Sequence, residues 1–165
     1  MSLPVLIVDG YNIIGAWEDL KKMRDKDLGS ARDQLISMVS CYRGWAWERI
    51  IVVFDGKSYE WEEVDGVEVV FTGKRETADT MIEQLAAGLS VKNQVEVATS
   101  DFAEFRAASN VGAKVYSAAS FKEQLFEKRN SYRRMTSSDS KAGLLLNDVL
   151  HKSVRDSLDK LRRSL

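Results

Sequence analysis

Three stretches of the chain, residues 3–8, 50–54 and 95–99, are almost continuously apolar and rich in Val and Ile. That is the pattern of strands buried on both faces. Two further runs, 67–71 and 114–116, complete a set of five predicted strands. Between them the period changes. Residues 30–42 set Leu35, Ile36, Met38, Val39 and Tyr42 along one stripe, and residues 78–89 do the same with Met81, Ile82, Leu85, Ala86 and Leu89. Apolar positions recurring at steps of three and four mark one face of a helix. Residues 102–109 predict a short helix, after which Val111-Gly112 turns into the fifth strand. Strands alternating with helices predict an α/β protein built of βαβ units with a mainly parallel sheet. Residues 56–65 carry no apolar periodicity and read as a polar loop.

Past residue 120 the strand signals stop. Phe121, Leu125, Phe126, Tyr132 and Met135 stripe one helix, and Leu150, Val154, Leu158, Leu161 and Leu165 stripe another. The polar residues 136–140 between them read as a hinge or loop. The expected organisation is an α/β domain over 1–120 followed by a helical C-terminal extension over 121–165, packed on that domain or projecting from it. Charge follows the same division. Residues 128–165 hold ten basic and four acidic residues, whereas residues 1–127 hold fourteen basic and twenty-one acidic ones. An acidic body gathers cations and a basic arm meets polyanions. A basic helix docked on an acidic surface explains the same split equally well.

Composition removes several chemistries. His151 is the single His, so a His-rich zinc site is excluded, and any Ser-His-Asp or Cys-His system would rest on that residue alone. The single Cys41 excludes an internal disulfide and suits a reducing compartment. Within its helical pattern it reads as a small buried residue first and a reactive thiol second. No apolar stretch approaches the ~20 residues of a membrane span. The N-terminus enters a strand with no signal or transit segment before it, which fits a bacterial-type cytoplasm, or a plastid stroma if a transit peptide has been removed. What remains is chemistry by carboxylates, metals or hydroxyls.

In an open parallel sheet, ligands meet the carboxyl ends of the strands where strand order reverses. The first predicted strand runs into Asp9-Gly10-Tyr11-Asn12, the second into Asp55-Gly56, and the fourth through Thr99-Ser100 into Asp101. Asp79 opens the 78–89 helix. Carboxylates held together repel one another, and a hard divalent cation such as Mg²⁺ or Mn²⁺ removes that penalty. One or two such ions can activate water and stabilise the leaving oxygen of a phosphodiester. Taken singly, each acid has a plainer reading: Asp101 as a helix cap, Asp79 as a first-turn acid favoured by the helix dipole. Convergence of several on one sheet edge favours the metal.

The same residues carry a resemblance. Leu6-Ile7-Val8-Asp9-Gly10-Tyr11-Asn12 resembles the opening motif of NYN-domain proteins, a branch of the PIN-like nucleases. Val52-Val53-Phe54-Asp55, Glu76-Thr77-Ala78-Asp79 and Thr99-Ser100-Asp101 follow in the family's order. Gly112-Ala113 and the basic segment ending in Leu161-Arg162-Arg163 bring the similarity closest to the YacP-like subfamily, over essentially the whole chain. That resemblance implies a PIN-like three-layer fold, a five-stranded mainly parallel sheet with helices on both faces and a central first strand. It also implies Mg²⁺- or Mn²⁺-dependent endonucleolytic hydrolysis of RNA, in some bacterial members on messenger RNA at the ribosome. Asp9, Asp79 and Asp101 would hold the metal, Asp55 would be an outer ligand, and Asn12 would orient metal or substrate.

Candidate RNA contacts are Lys74 and Arg75, just before the Asp79 helix, and Arg129, Arg133 and Arg134 in the extension; phosphate contacts of this kind carry affinity but no sequence information. A solvated loop or helix face is the competing reading for each. Arg43, Trp45, Trp47 and Arg49 interleave basic and aromatic residues suited either to stacking on bases or, with more weight, to core packing. Tyr59 and Trp61 lie among Glu60, Glu62 and Glu63, which would repel phosphate and favour a protein contact. A binding module for RNA or the ribosome, without catalysis, is the alternative from another class. A phosphatase or nucleotide-binding protein is weakened by the lack of a phosphate-binding glycine pattern.

Overall fold

The computed structural model describes residues 2–138 together with Val154, Asp156 and Ser157. The chain divides into two compact units, Met1–Phe121 and Lys122–Leu165.

In the first unit a six-stranded sheet takes the order β3 (Glu60–Val64), β4 (Val67–Phe71), β2 (Arg49–Phe54), β1 (Val5–Asp9), β5 (Val95–Ala98) and β6 (Lys114–Tyr116). Its centre is β1 (Val5–Asp9), in which every residue is buried, as the unbroken Val-Leu-Ile-Val run predicts. Parallel neighbours flank it: β2 (Arg49–Phe54) on one side and β5 (Val95–Ala98) on the other. Beyond them lie β4 (Val67–Phe71), parallel to β2, and β6 (Lys114–Tyr116), parallel to β5. Alternation along the strands divides the core in two. Ile7, Ile51, Val53, Val70 and Val97 face Ala78, Met81, Ile82 and Ala86 of α4 (Ala78–Leu89), with Ala108 of α5 (Phe102–Asn110) in the same cluster. Leu6, Val8, Ile50, Val52 and Phe54 point to the other side. There α1 (Gly10–Ala16) and α3 (Leu28–Ser40) pack on β2.

The connection from β1 to β2 is longer in helix than the periodicity predicts. Both α1 and α2 (Glu18–Lys26) are additional elements, and each escapes a pattern search for a physical reason. The first has only seven residues, and the second buries only Leu20. Asp27 caps α3 by accepting the Ser30 N–H at 3.2 Å.

Two expectations are corrected. The sheet has six strands, not five, because residues read as a loop contain β3 (Glu60–Val64), antiparallel to β4. Four of its five residues are exposed, so no apolar alternation betrays it. The readable signal lies in the turn: Asp65 (φ 52°) and Gly66 (φ 79°) both occupy the left-handed region, as a two-residue type I′ hairpin requires. The acidic edge strand also discourages edge-to-edge association.

The second correction concerns the expected hinge at 136–140. Helix α6 (Ala118–Ser138) runs through its first three residues. The Thr136 hydroxyl donates to the Tyr132 carbonyl at 3.0 Å, and the Ser137 hydroxyl to that of Arg134 at 3.0 Å. Polar side chains here bond back to their own helix and do not interrupt it. Apart from Val154, the second predicted stripe, from Leu150 to Leu165, lies outside the described residues.

Candidate active site

The sheet order reverses at β1. Helices α1–α3 carry the chain across one face to β2, and α4 carries it back across the other face to β5, leaving a crevice at the carboxyl end of β1. Asp9 ends β1 there and is only 7% exposed. The hydroxyl of Thr99, itself fully buried after β5, donates to Asp9 Oδ2 over a long 3.4 Å. The Thr99 hydroxyl oxygen in turn accepts the backbone N–H of Asp101 at 3.1 Å. Thr99 therefore joins two acids whose positions are far apart in the chain. Asn12, in the first turn of α1, accepts the Ser100 N–H at 2.7 Å, and Ser100 Oγ accepts the Ala118 N–H at 2.8 Å. Trp17 adds a buried bond from its indole N–H to the Ala118 carbonyl at 2.9 Å. The loop after β5 is thus held on both sides.

Asp101 also caps α5, its Oδ1 accepting the Ala103 N–H at 2.9 Å. On the β2 side, Asp55 is exposed and accepts the Ala78 N–H at 2.8 Å, tying the end of β2 to the residue before Asp79. Asp79 lies exposed in the first turn of α4, while Thr77 provides the cap proper by accepting the Thr80 N–H at 3.2 Å. Neither Asp55 nor Asp79 has a cationic side chain within ion-pair distance among the described residues. Two glycines permit the close packing. A methyl group on Gly10 would overlap the Phe54 ring, and one on Gly56 would stand 2.8 Å from the Thr72 carbonyl oxygen.

All five residues expected at the site therefore lie along one sheet edge: Asp9, Asn12 and Asp101 in one bonded network, Asp55 and Asp79 at the head of α4. Asp55 and Asp101 both serve as caps, the plainer role foreseen for Asp101. Among the described residues, no group of three or more His, Cys, Asp or Glu side chains could hold an ion by itself. The donor chemistry still fits a hard divalent cation: carboxylates and one amide, with no His or thiolate at the edge among the described residues. Mg²⁺ is commonly held by one or two carboxylates with water and substrate phosphate completing its shell, so an open edge is an appropriate donor set.

Lys74 and Arg75 are exposed in the turn between β4 and α4, at the same edge. Arg129, Arg133 and Arg134 belong to the second unit. Arg133 and Arg134 are exposed; Arg129 is half-buried, its guanidinium 5.3 Å from the Phe126 ring centre and its Nε without a hydrogen-bond partner. Trp47 settles into the packing reading: it is fully buried, and its indole donates to Glu96 Oε2 at 2.7 Å. Trp45 is half-buried and donates to the Cys41 carbonyl at 2.6 Å. Tyr59 and Trp61 stay exposed on and beside the acidic edge strand. Cys41 is half-buried at the end of α3, its thiol on the Met38 carbonyl at 3.2 Å. Two features were not foreseen: the bridging Thr99 hydroxyl, and a pairing of Tyr11 with Arg32 in which Nη1 donates to the phenol oxygen at 3.0 Å.

Together the parallel sheet, the buried aspartate at its switch point and the flanking acids define an α/β protein with a nuclease-like fold. Comparison with known proteins agrees at each level. The family model for the YacP-like NYN domain matches residues 6–163. The chain is 38% identical over 169 residues to the uncharacterized protein YacP of Bacillus subtilis (strain 168), covering 98% of each. A crystal structure of a mutant of Rae1 (YacP) from Bacillus subtilis superposes with a TM-score of 0.71 at 33% identity, covering 99% of this chain and 100% of that one. Another crystal structure of Rae1 (YacP) gives 0.67 at 34% identity, covering 99% and 95%. The chain belongs to the YacP-like NYN domain family.

Proposed function

We propose that the protein is a Mg²⁺- or Mn²⁺-dependent endoribonuclease, with Asp9, Asp79 and Asp101 as metal-holding acids, Asp55 as an outer ligand and Asn12 as an orienting amide. One observation carries the reading: a nearly buried carboxylate, Asp9, at the switch point of a parallel sheet. Burial disfavours a charged carboxylate, and a bound cation would favour it. When bound, the ion would activate water and stabilise charge on the phosphodiester oxygens.

The chain's own groups supply the rest. Asp55 and Thr77 fix the start of α4 and with it Asp79. Thr99 and Asn12 fix the loop that bears Asp101. The substrate would be single-stranded or messenger RNA, and the ribosome a partner, with Lys74, Arg75, Arg129, Arg133 and Arg134 contacting phosphate. The exposed basic side chains of Lys74, Arg75, Arg133 and Arg134 suit a second reading as well, a module that binds RNA or the ribosome without catalysis.

Purified protein incubated with end-labelled RNA and Mn²⁺ separates the two. Cleavage lost in EDTA and in Asp79→Asn, with the circular dichroism spectrum retained, is the expected result. Cleavage that survives both treatments would sink the metal reading, and RNA retention without cleavage on ribosomes as well as on free RNA would favour the binding module.

A further inference from the structure

Arg32 has been assigned neither as a ligand nor as an RNA contact, although the N-terminal half of α3 carries it to the acidic edge. Its Nη1 donates to the Tyr11 hydroxyl at 3.0 Å, and its guanidinium carbon stands 5.6 Å from the centre of the Phe71 ring. Tyr11 sits between Gly10 and Asn12, with its ring 4.9 Å from that of Phe54. Phe54 in turn stacks on Phe71 at 5.5 Å and immediately precedes Asp55. Three rings therefore fix one guanidinium beside the strand ends that deliver Asp9 and Asp55.

What this guanidinium lacks is a carboxylate. It is half-buried, and no acid among the described residues lies within ion-pair distance of it. One of its five N–H donors meets Tyr11, and the Tyr11 hydroxyl, as acceptor in that bond, keeps its own proton to give. Packing α3 on the sheet would need only an apolar side chain. A planar, ring-stacked fork with donors to spare matches a phosphate group.

We propose that Arg32 and Tyr11 form a phosphate subsite for the RNA backbone, on the α3 side of the acidic edge. Lys74 and Arg75 lie on its α4 side, so a strand crossing the edge would be held at both flanks. The proposal rests on the nuclease reading for its ligand. Arg32 is here a binding residue, acting on the strand and not on the reacting atoms.

Binding of a fluorescent single-stranded RNA, with Ca²⁺ in place of Mn²⁺ and salt as the variable, tests it. Arg32→Met should weaken binding about tenfold at 0.1 M salt and reduce the slope of log affinity against log salt by about 0.7, the value for one phosphate contact on a single strand. Arg32→Lys should keep the slope and lose part of the affinity, and Tyr11→Phe should weaken binding a few-fold. In Mn²⁺ the loss should appear in KM more than in kcat. Wild-type affinity and slope in Arg32→Met, with cleavage intact, would overturn the subsite and leave the nuclease reading standing. A wild-type protein that neither binds nor cuts RNA, free or ribosomal, would overturn both. Should Arg32→Met fail to fold, Arg32→Lys and Tyr11→Phe decide, and wild-type affinity in both is the overturning result.

Discussion

The two ends of the sheet treat their acids differently. At the amino end, Glu68 receives Arg49 in a two-pronged bond, Nε to Oε2 at 2.9 Å and Nη2 to Oε1 at 2.8 Å, and Glu96 receives the Trp47 indole. The Glu68 carboxylate holds the Arg49 guanidinium above its ordinary pKa, burial opposing the shift. At the carboxyl end, Asp55 takes a backbone N–H, Asp9 a hydroxyl and Asp101 the Ala103 N–H of its own cap. Neutral donors orient a carboxylate without cancelling its charge. The first arrangement joins strand to strand, whereas the second fixes the strand ends and loops around the crevice. Both rest on the same strands, so what separates them is which residues stand at each strand's two ends.

Substitutions at each end sharpen the contrast. The largest effect is expected from Asp9→Asn, which should lower the RNA cleavage rate at least about a hundredfold, beyond what loss of an outer-shell partner typically causes. Its melting temperature should stay at or above the wild-type value, because a buried charge is removed. A large loss of stability would assign Asp9 to the structural class of Glu68. Next comes Gly10→Ala, whose methyl group would overlap the Phe54 ring. Overpacking of this kind costs about 1–3 kcal/mol, measurable in urea unfolding, and cleavage should fall with the displaced α1.

At the other end, Arg49→Met should cost only about 0.5–1 kcal/mol, since the pair is partly exposed, and should leave cleavage unchanged. The loss would come partly from Glu63, which stands opposite Glu68 across β3 and β4. Any drop in cleavage would break the division between the two ends. The smallest effect concerns Asp27, whose pKa lies below its ordinary value, chiefly through the Ser30 side chain and then its backbone N–H. A depressed carboxyl pKa contributes stability above the unfolded pKa of about 3.9 and loses it as pH falls through the folded value. Ser30→Ala should therefore reduce stability slightly at neutral pH, with the difference from wild type shrinking below about pH 4 in acid titrations followed by circular dichroism.

Much of this architecture was legible beforehand, and the exceptions share a cause. Nearly continuous apolar runs announced β1 and β2, a Val-rich run announced β5, and the stripe over 78–89 coincides with α4, because burial on two faces or one face leaves a readable pattern. Helix α2 and strand β3 bury almost nothing and so leave none. Within the site, the candidate acids stood out because strand ends in a parallel sheet share an edge. Thr99, Tyr11 and Arg32 did not stand out, since a hydroxyl or a helical Arg gains its role only from a neighbour supplied by another element.

Sequence alone determined the alternating α/β plan, the acids at the strand ends and the lack of His or thiol chemistry among them. Tertiary structure decided which of those acids share a hydrogen-bond network, that Trp47 packs inside the core, and that the Arg32 guanidinium lies over the Phe71 ring. The reason is range. Hydrophobic period is a property of a dozen neighbouring residues, whereas the partner of a buried polar group is chosen by chain crossings that bring Asp9 to Thr99 and Tyr11 to Arg32.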